Sequence, residues 1–460
     1  MSSFTSPPTA AIAQFVAETH ADAIPAGARQ RAMLTLADTY GTTIAGISDD
    51  APRVIRDSLL PWSAPGPSIV AGFPDHRTDP ATAALLNAAA AHTLDYDSIS
   101  FAVSGFIGSA TACALAALAD ASDTAPLGYD VLTAYCLGWE GAAALSRGIN
   151  PLHYSKGWHP TSTMGGFAAT LAACRFLGLD AEATAMAIGI AVSEASGVKT
   201  MIGNMINAWH VGTGARNGVI AAQLAAQGFV AHPAALEADQ GFLNLFNGPG
   251  NYDIDAIVSG LGVKWDLLDP GPIFKVYPCC GLIHSALDAV VRLRTENGID
   301  ASEVRSIEVL VHEFVPRVMH IDVPQSGYAA KFSIPYCIAT GLIDGSVGLG
   351  SFDTVRSEVV ELGRRVNYGV HPDLHGGETF LDAEFTDVKL ETDRGVFEAR
   401  VDRMTNRGTA SNLVIEDLEA KLADCIHHGG MDVDASMVWN HLGSIDENTA
   451  WTYWGAGTTA

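Results

Sequence analysis

Two histidines at the entrances of helices are the first residues in this sequence with the means to do chemistry. His159 precedes Pro160 and a helix opened by Thr161, Ser162 and Thr163. Free amides at such an entrance favour the neutral imidazole and attract anions, and a neutral imidazole can accept a proton near pH 7. Tyr154 lies just upstream and can reach the same space. A second junction repeats the theme, with Lys275 and Tyr277 leading through Pro278, Cys279 and Cys280 to His284 and a helix over 285–293. Asp95 and Asp97 follow an alanine-rich helix. Two carboxylates there are costly to desolvate unless partnered, so they read either as a solvated helix end or as the acids of a pocket.

The chain has 460 residues and a net charge of −25, from 26 basic and 51 acidic side chains. Such an excess of negative charge argues against nucleic acid or an anionic membrane as partner. Only seven of the basic residues are lysines, and none comes before Lys156. Lys156, Lys199 and Lys275 sit in or beside the glycine- and histidine-rich motifs, where they read either as a local anion site or as solvated loop lysines. No dinucleotide fingerprint, phosphate-binding loop, nucleophile elbow or zinc-protease helix occurs, so no cofactor and no metal are expected. His371 and His375 have helical spacing, but Pro372 and Gly376-Gly377 make that segment a loop. The seven cysteines, among them the adjacent Cys279 and Cys280, read as reduced, mostly buried thiols. The N-terminus lacks the features of a secretory signal, and apolar runs such as 110–119 are too short to span a bilayer. A cytoplasmic protein is expected.

The elements that must position these residues are mostly helices. Apolar and small residues recur at helical spacing over 10–20, 26–46, 78–93, 108–119, 128–148, 161–178, 181–197, 214–228 and 235–246. Ser162 and Asp180 are the predicted N-caps, and Gly178 and Gly228 the C-terminal stops. Within 154–218, polar residues gather at helix entrances while small residues line the helices, a way to build a pocket between close-packed helix ends. In the first half only 68–71 suggests extended chain. The later sequence changes character: Ile307, Val309 and Val311 alternate with Glu308, Leu310 and His312. Segments 383–392 and 396–403 flank Asp393-Arg394-Gly395 as a hairpin. Helical pattern also covers 331–340, 354–365 and 414–426. The predicted fold class is mainly α, with a large all-helical domain (1–267 and 404–460) and an inserted smaller α+β lid domain (268–403).

Taken in order, these stretches resemble the MmgE/PrpD family of cofactor-independent dehydratases, decarboxylases and epimerases. The matching residues are Ala91-His92-Thr93-Leu94-Asp95-Tyr96-Asp97, Gly157-Trp158-His159-Pro160-Thr161-Ser162-Thr163, Trp209-His210-Val211-Gly212 with Ala215-Arg216-Asn217-Gly218, Lys275-Val276-Tyr277-Pro278-Cys279-Cys280 and Lys331-Phe332-Ser333-Ile334-Pro335-Tyr336. The resemblance implies a cleft between the two domains, a small di- or tricarboxylate substrate and a homodimer. It also implies that Asp95, His159, Lys275 and His284 are active-site residues. This chain departs from the family pattern at three places. Asn207 stands where relatives carry a pocket lysine, Ile99 where many carry a threonine, and Gly105 where a histidine is usual.

Chemistry of this kind proceeds by proton transfer alpha to a carboxylate, with fixed donors stabilising the developing enediolate. The roles implied are His159 as base or acid, with Tyr154 beside it, and Asp95 orienting a nearby donor. Lys275 and His284 would bind or polarise the substrate carboxylate. Asn207, His210 and Lys199 would contact the substrate, and Ile99, Phe106 and Trp209 would form an apolar wall. That wall suits an acid less anionic than the usual family substrates. The expected function is a cofactor-independent lyase, a dehydratase or decarboxylase, with an isomerase of a small dicarboxylate or a ligand-binding homologue without turnover as the alternatives.

Overall fold

Alanine and glycine dominate the helices of the first half, and the structure uses them to bring helix axes close together. The computed structural model describes residues 7–376, 385–402, 412–447 and 449–455. The helices of its larger body are α1 (Pro8–Glu18), α2 (Ala26–Gly46), α3 (Asp50–Leu59), α4 (Pro80–Thr93), α5 (Gly108–Asp120), α6 (Gly128–Ile149), α7 (Leu152–Ser155), α8 (Pro160–Phe176), α9 (Ala181–Glu194), α10 (Ile206–Ala226) and α11 (Ile254–Val258). Buried Ala83, Ala84, Ala88, Ala91, Ala169 and Ala215 let α4, α8 and α10 meet with little between them but methyl groups. At Gly212 a Cβ would fall 2.7 Å from the Leu85 carbonyl oxygen, so α4 and α10 touch almost backbone to backbone. No helix among the described residues is long and apolar enough to cross a membrane.

The expectation of an all-helical larger body is overturned. Strands β1 (Pro65–Val70) and β2 (Phe73–Thr78) form an antiparallel hairpin, and β3 (Ile99–Ser100) pairs with β4 (Pro272–Ile273). Pro65, Pro67 and Pro74 hide the hairpin from a pattern search, since proline disrupts alternation and removes ladder donors. Helix side chains hold it instead. Asn87 on α4 donates to Ile69 O and accepts from Ala71 N–H, and Asp120 on α5 accepts from Ile69 N–H. The helix expected over 235–246 is also absent; turns run there, with a single π turn at Leu243–Asn247.

A second hydrophobic core builds around a four-stranded sheet. Strand β5 (Val304–Val311) lies parallel to β6 (Val366–Val370) and antiparallel to β7 (Phe385–Thr392), which pairs with β8 (Gly395–Asp402). Val304, Ile307, Val309 and Val311 turn inward, where they share a core with Leu287, Val290 and Leu293 of α12 (His284–Asn297). Around the sheet lie α13 (Phe314–Val318), α14 (Gly327–Ala330), α15 (Ile334–Asp344) and α16 (Ser357–Gly363). Residues 383, 384 and 403 of the expected hairpin, and the expected domain boundary at 403/404, lie outside the described residues. The chain then returns to the larger body, where α17 (Ile415–His428) buries Leu422 and Ile426 in the same core as Leu36 of α2, ahead of α18 (Ala435–Gly443).

The two bodies meet around the end of α4. Tyr328 on α14 donates to Asp49, which also accepts from Thr93 Oγ1 at 2.6 Å. The β3–β4 pairing ties the loop after Asp97 to the segment that carries Lys275.

Candidate active site

The loop after α4 is gripped by three buried lysines that come from remote parts of the chain. Lys331 Nζ donates to Leu94 O at 2.7 Å. Lys275 Nζ donates to Asp95 O at 2.7 Å and to Asp95 Oδ1 at 2.6 Å. Lys421 Nζ donates to Tyr96 O at 2.6 Å and to Lys275 O at 3.0 Å, and it pairs with Asp38 Oδ1 at 2.7 Å. Three consecutive carbonyls thus each receive an ammonium group in a place where water is excluded. Asp95 itself sits at φ 51°, a left-handed conformation uncommon outside glycine but tolerated by aspartate. Its second oxygen, Oδ2, is buried without a hydrogen-bond partner. Such an orphaned acceptor at a strained residue is a feature of functional sites.

Beside this clamp stand three imidazoles. His159 occupies the N-cap position of α8, which begins at Pro160, so the expected Ser162 cap is not used. The His159 N–H donates to Gly197 O at 3.1 Å. Gly197 has φ 106°, and a Cβ there would lie 2.5 Å from Ser162 Cβ, so only glycine lets this loop pin the helix entrance. His210, one turn into α10, meets His159 with the two Nδ1 atoms 2.8 Å apart. One Nδ1–H must donate to the other's lone pair, which leaves one ring with a bare Nε2 and the other with an Nε2–H when both are neutral. Burial, with the neighbouring His210, His92 and Lys199, holds His159 well below the ordinary histidine range. Burial and His92 push His210 down to about 4. Both rings are therefore neutral near pH 7.

His92, the third imidazole, did not stand out as a site residue in the sequence. Its Nδ1 lies 2.8 Å from Asp97 Oδ1, while Asp97 Oδ2 accepts from Ser109 Oγ at 2.6 Å. Burial pushes the Asp97 carboxyl up, yet His92 and the Ser109 hydroxyl more than offset it and hold the group below the usual carboxylate range. The Phe106 ring links this pair to the lysine clamp, 4.6 Å from the His92 ring and 4.7 Å from Lys275 Nζ. The spacing of His92 and Asp97 across a helix end is the available signal; the scarcity of lysine singled out Lys156, Lys199 and Lys275 and missed Lys331 and Lys421.

The remaining expected residues fall at different distances from this centre. His284 is buried behind Lys275, its ring edge-on to Tyr277 and its Nε2 3.3 Å from Cys279 O, and burial with Lys275 pushes it down to about 3. Lys199 Nζ rests 3.4 Å over the Tyr154 ring on the His159 side, and burial lowers it to about 8. Burial pushes the Tyr154 hydroxyl upward. Asn207 is buried one turn before His210, with its Oδ1 lacking a hydrogen-bond partner. Ile99 and Phe106 pack with Phe101 and Ile273 into an apolar wall next to Lys275. Trp209 is not part of the group. It lies about 200° around α10 from Asn207 and packs with Val70, Leu85 and Leu86 against the β1–β2 hairpin. Lys156 turns away to Asn247 O. The histidine pair at 371 and 375 is in a loop, and no His, Cys, Asp and Glu group among the described residues has metal-holding geometry. All seven cysteines are buried and unpaired.

Comparison with known proteins places the chain in a family. The MmgE/PrpD N-terminal domain matches residues 10–255 and the MmgE/PrpD C-terminal domain matches residues 277–438. The chain is 27% identical to cis-aconitate decarboxylase of Aspergillus terreus (strain NIH 2624 / FGSC A1156) over 385 residues, 78% of this chain and 77% of that protein. It is 27% identical to cis-aconitate decarboxylase of Homo sapiens over 432 residues, 85% of this chain and 88% of that protein. Its identity to the Mus musculus enzyme of the same name is 26% over 441 residues, 87% and 88% of the two chains. With both family domains matched in order along most of its length, the chain belongs to the MmgE/PrpD family.

Proposed function

We propose that this protein is a cofactor-independent lyase that removes CO₂ or water from a small carboxylic acid by proton transfer alpha to a carboxylate. The observation that carries the reading is the buried Lys275–Asp95 pair, with its orphaned Asp95 Oδ2, linked through Phe106 and His92 to the neutral His159–His210 pair. A fixed lysine offers charge to a substrate carboxylate and to the enediolate that forms from it. Neutral imidazoles exchange protons at physiological pH, and His159 is the proton acceptor in this scheme. The naming of relatives as cis-aconitate decarboxylases supports a lyase and favours loss of CO₂.

The substrate is an acid with fewer charges than a tricarboxylate and with an apolar arm. Asn207 offers a neutral amide, and Ile99, Phe101 and Phe106 supply hydrocarbon beside Lys275. All the titratable groups involved are buried, so substrate entry requires the two bodies to part around the end of α4. A homodimer is expected from family likeness, and light scattering on the purified protein checks it.

The test is incubation in D₂O with cis-aconitate and a panel of di- and monocarboxylic acids bearing alkyl arms, followed by proton NMR and CO₂ detection. Loss of one acid with CO₂ release or alkene formation is the expected result. Inversion with deuterium exchange and no bond cleaved would make the protein an isomerase and overturn the lyase reading. No change in any acid would overturn it as well.

A further inference from the structure

Both branches of the lyase reaction need a proton donor, whereas only dehydration needs a base. His159 and His210 suit that donor poorly, because they are buried against each other and, among the described residues, no carboxylate is bonded to either ring. A buried cation without a counter-charge is strongly disfavoured. His92 is placed differently. It is 2% exposed, its Nδ1 is fixed on Asp97 at 2.8 Å, and Asp97 is itself fixed by Ser109. The carboxylate orients the ring with Nδ1–H toward Asp97 and would balance the charge of an imidazolium. Nε2 then points away from Asp97. The ring packs on Phe106, which also neighbours Lys275 Nζ, and it is near enough to His159 and His210 for its charge to act on both.

We propose that His92, held by Asp97, is the proton donor of this reaction, a proposal that rests on the lyase reading above. When CO₂ leaves, the electron pair of the broken C–C bond stays on carbon as an enediolate. The His92 Nε2–H bond then breaks and a C–H bond forms on that carbon. When hydroxide leaves instead, the same proton converts it to water. In either case the N–H electron pair remains on Nε2, and the neutral ring is reprotonated from solvent.

The informative variant is His92→Asn, whose side-chain amide keeps a donor for Asp97 but has no acid at the Nε2 position. With an acid that the wild-type protein turns over, kcat should fall by ~10²-fold while KM stays within threefold. A histidine with a purely structural part would lower Tm and protein yield without that split. An active wild type with His92→Asn within threefold of it in kcat overturns the donor role and leaves the lyase reading standing. A wild type inert toward the whole panel overturns both. Should His92→Asn fail to fold, ¹⁵N-histidine NMR of the wild type decides. The ring bonded to Asp97 should carry Nδ1–H, and its Nε2 resonance should move when the turned-over acid is added; an unmoved resonance overturns the role.

Discussion

Lys275 Nζ touches Asp95 twice, at the backbone oxygen (2.7 Å) and at carboxylate Oδ1 (2.6 Å), although 180 residues separate the two in sequence. The contact sets the loop conformation and brings opposite charges together in a dry site. Removing one partner leaves the other charged and buried. Lys275→Met should therefore destabilise the protein by ~3–5 kcal/mol and abolish turnover. Urea denaturation checks the first, and the double variant with Asp95→Asn should recover part of the stability and none of the activity.

Lys331 has a different part, since its Nζ bonds to two backbone oxygens, Leu94 O at 2.7 Å and Pro278 O at 3.2 Å. Lys331→Met strands both acceptors, with an expected loss of ~1–3 kcal/mol for each. Because the loop carrying Asp95 loosens with it, kcat should fall even where the variant is fully folded. Denaturant titration and steady-state kinetics separate the two effects.

Where the reaction is loss of water, His159→Ala removes the base and should lower turnover by ~10²-fold or more. Near-normal dehydration in the folded variant removes His159 from the reaction.

Acid should unfold this protein through its buried histidines. His210 is lowered from 6.5 to about 4 and His284 from 6.5 to about 3, both by burial first. The unfolded chain therefore binds protons that the folded chain refuses between these values and 6.5, so stability is complete above 6.5 and declines as pH falls toward 4 and 3. Tm measured from pH 8 to pH 4 should drop, and His210→Gln should flatten the decline. A wild-type Tm independent of pH over that range would contradict the buried neutral assignment.

Gly105 stands where the family pattern usually has a histidine. A Cβ at this position would lie 2.8 Å from Thr161 N and 3.1 Å from Pro160 C, backbone atoms that cannot swing aside. Gly105→Ala should cost ~1–3 kcal/mol by overpacking, and Gly105→His should lower expression without raising turnover. Thermal melts of the alanine variant check the first.

Much of the helical framework could be read from residue order. The caps illustrate the limit. Asp180 accepts from Ala183 N–H at 2.8 Å as its type and position predict, because an N-cap needs only neighbouring residues. Ser162 looks equally suitable, but contacts from Gly197 and His210 make His159 the N-cap instead. Of the hairpin at Pro65–Val70 and Phe73–Thr78 the sequence shows only the extended piece at 68–71, because Asn87 and Asp120, on two helices, supply its support. Trp209 looked like a pocket residue beside His210, but helix geometry turns it to the opposite side.

By itself the sequence determined the helix-forming runs, the alternating strands of the later half, the motif order that marks the family, and which residue types were available for proton transfer. Those features depend on local periodicity and on chemistry that each side chain carries alone. Only the tertiary structure decided which of those groups meet. It brought Lys331, Lys275 and Lys421 onto three successive carbonyls, joined His159 to His210, and set His92 on Asp97. Burial and partner, both long-range quantities, determine whether a histidine is neutral or a lysine is a clamp, and no spacing along the chain encodes them directly.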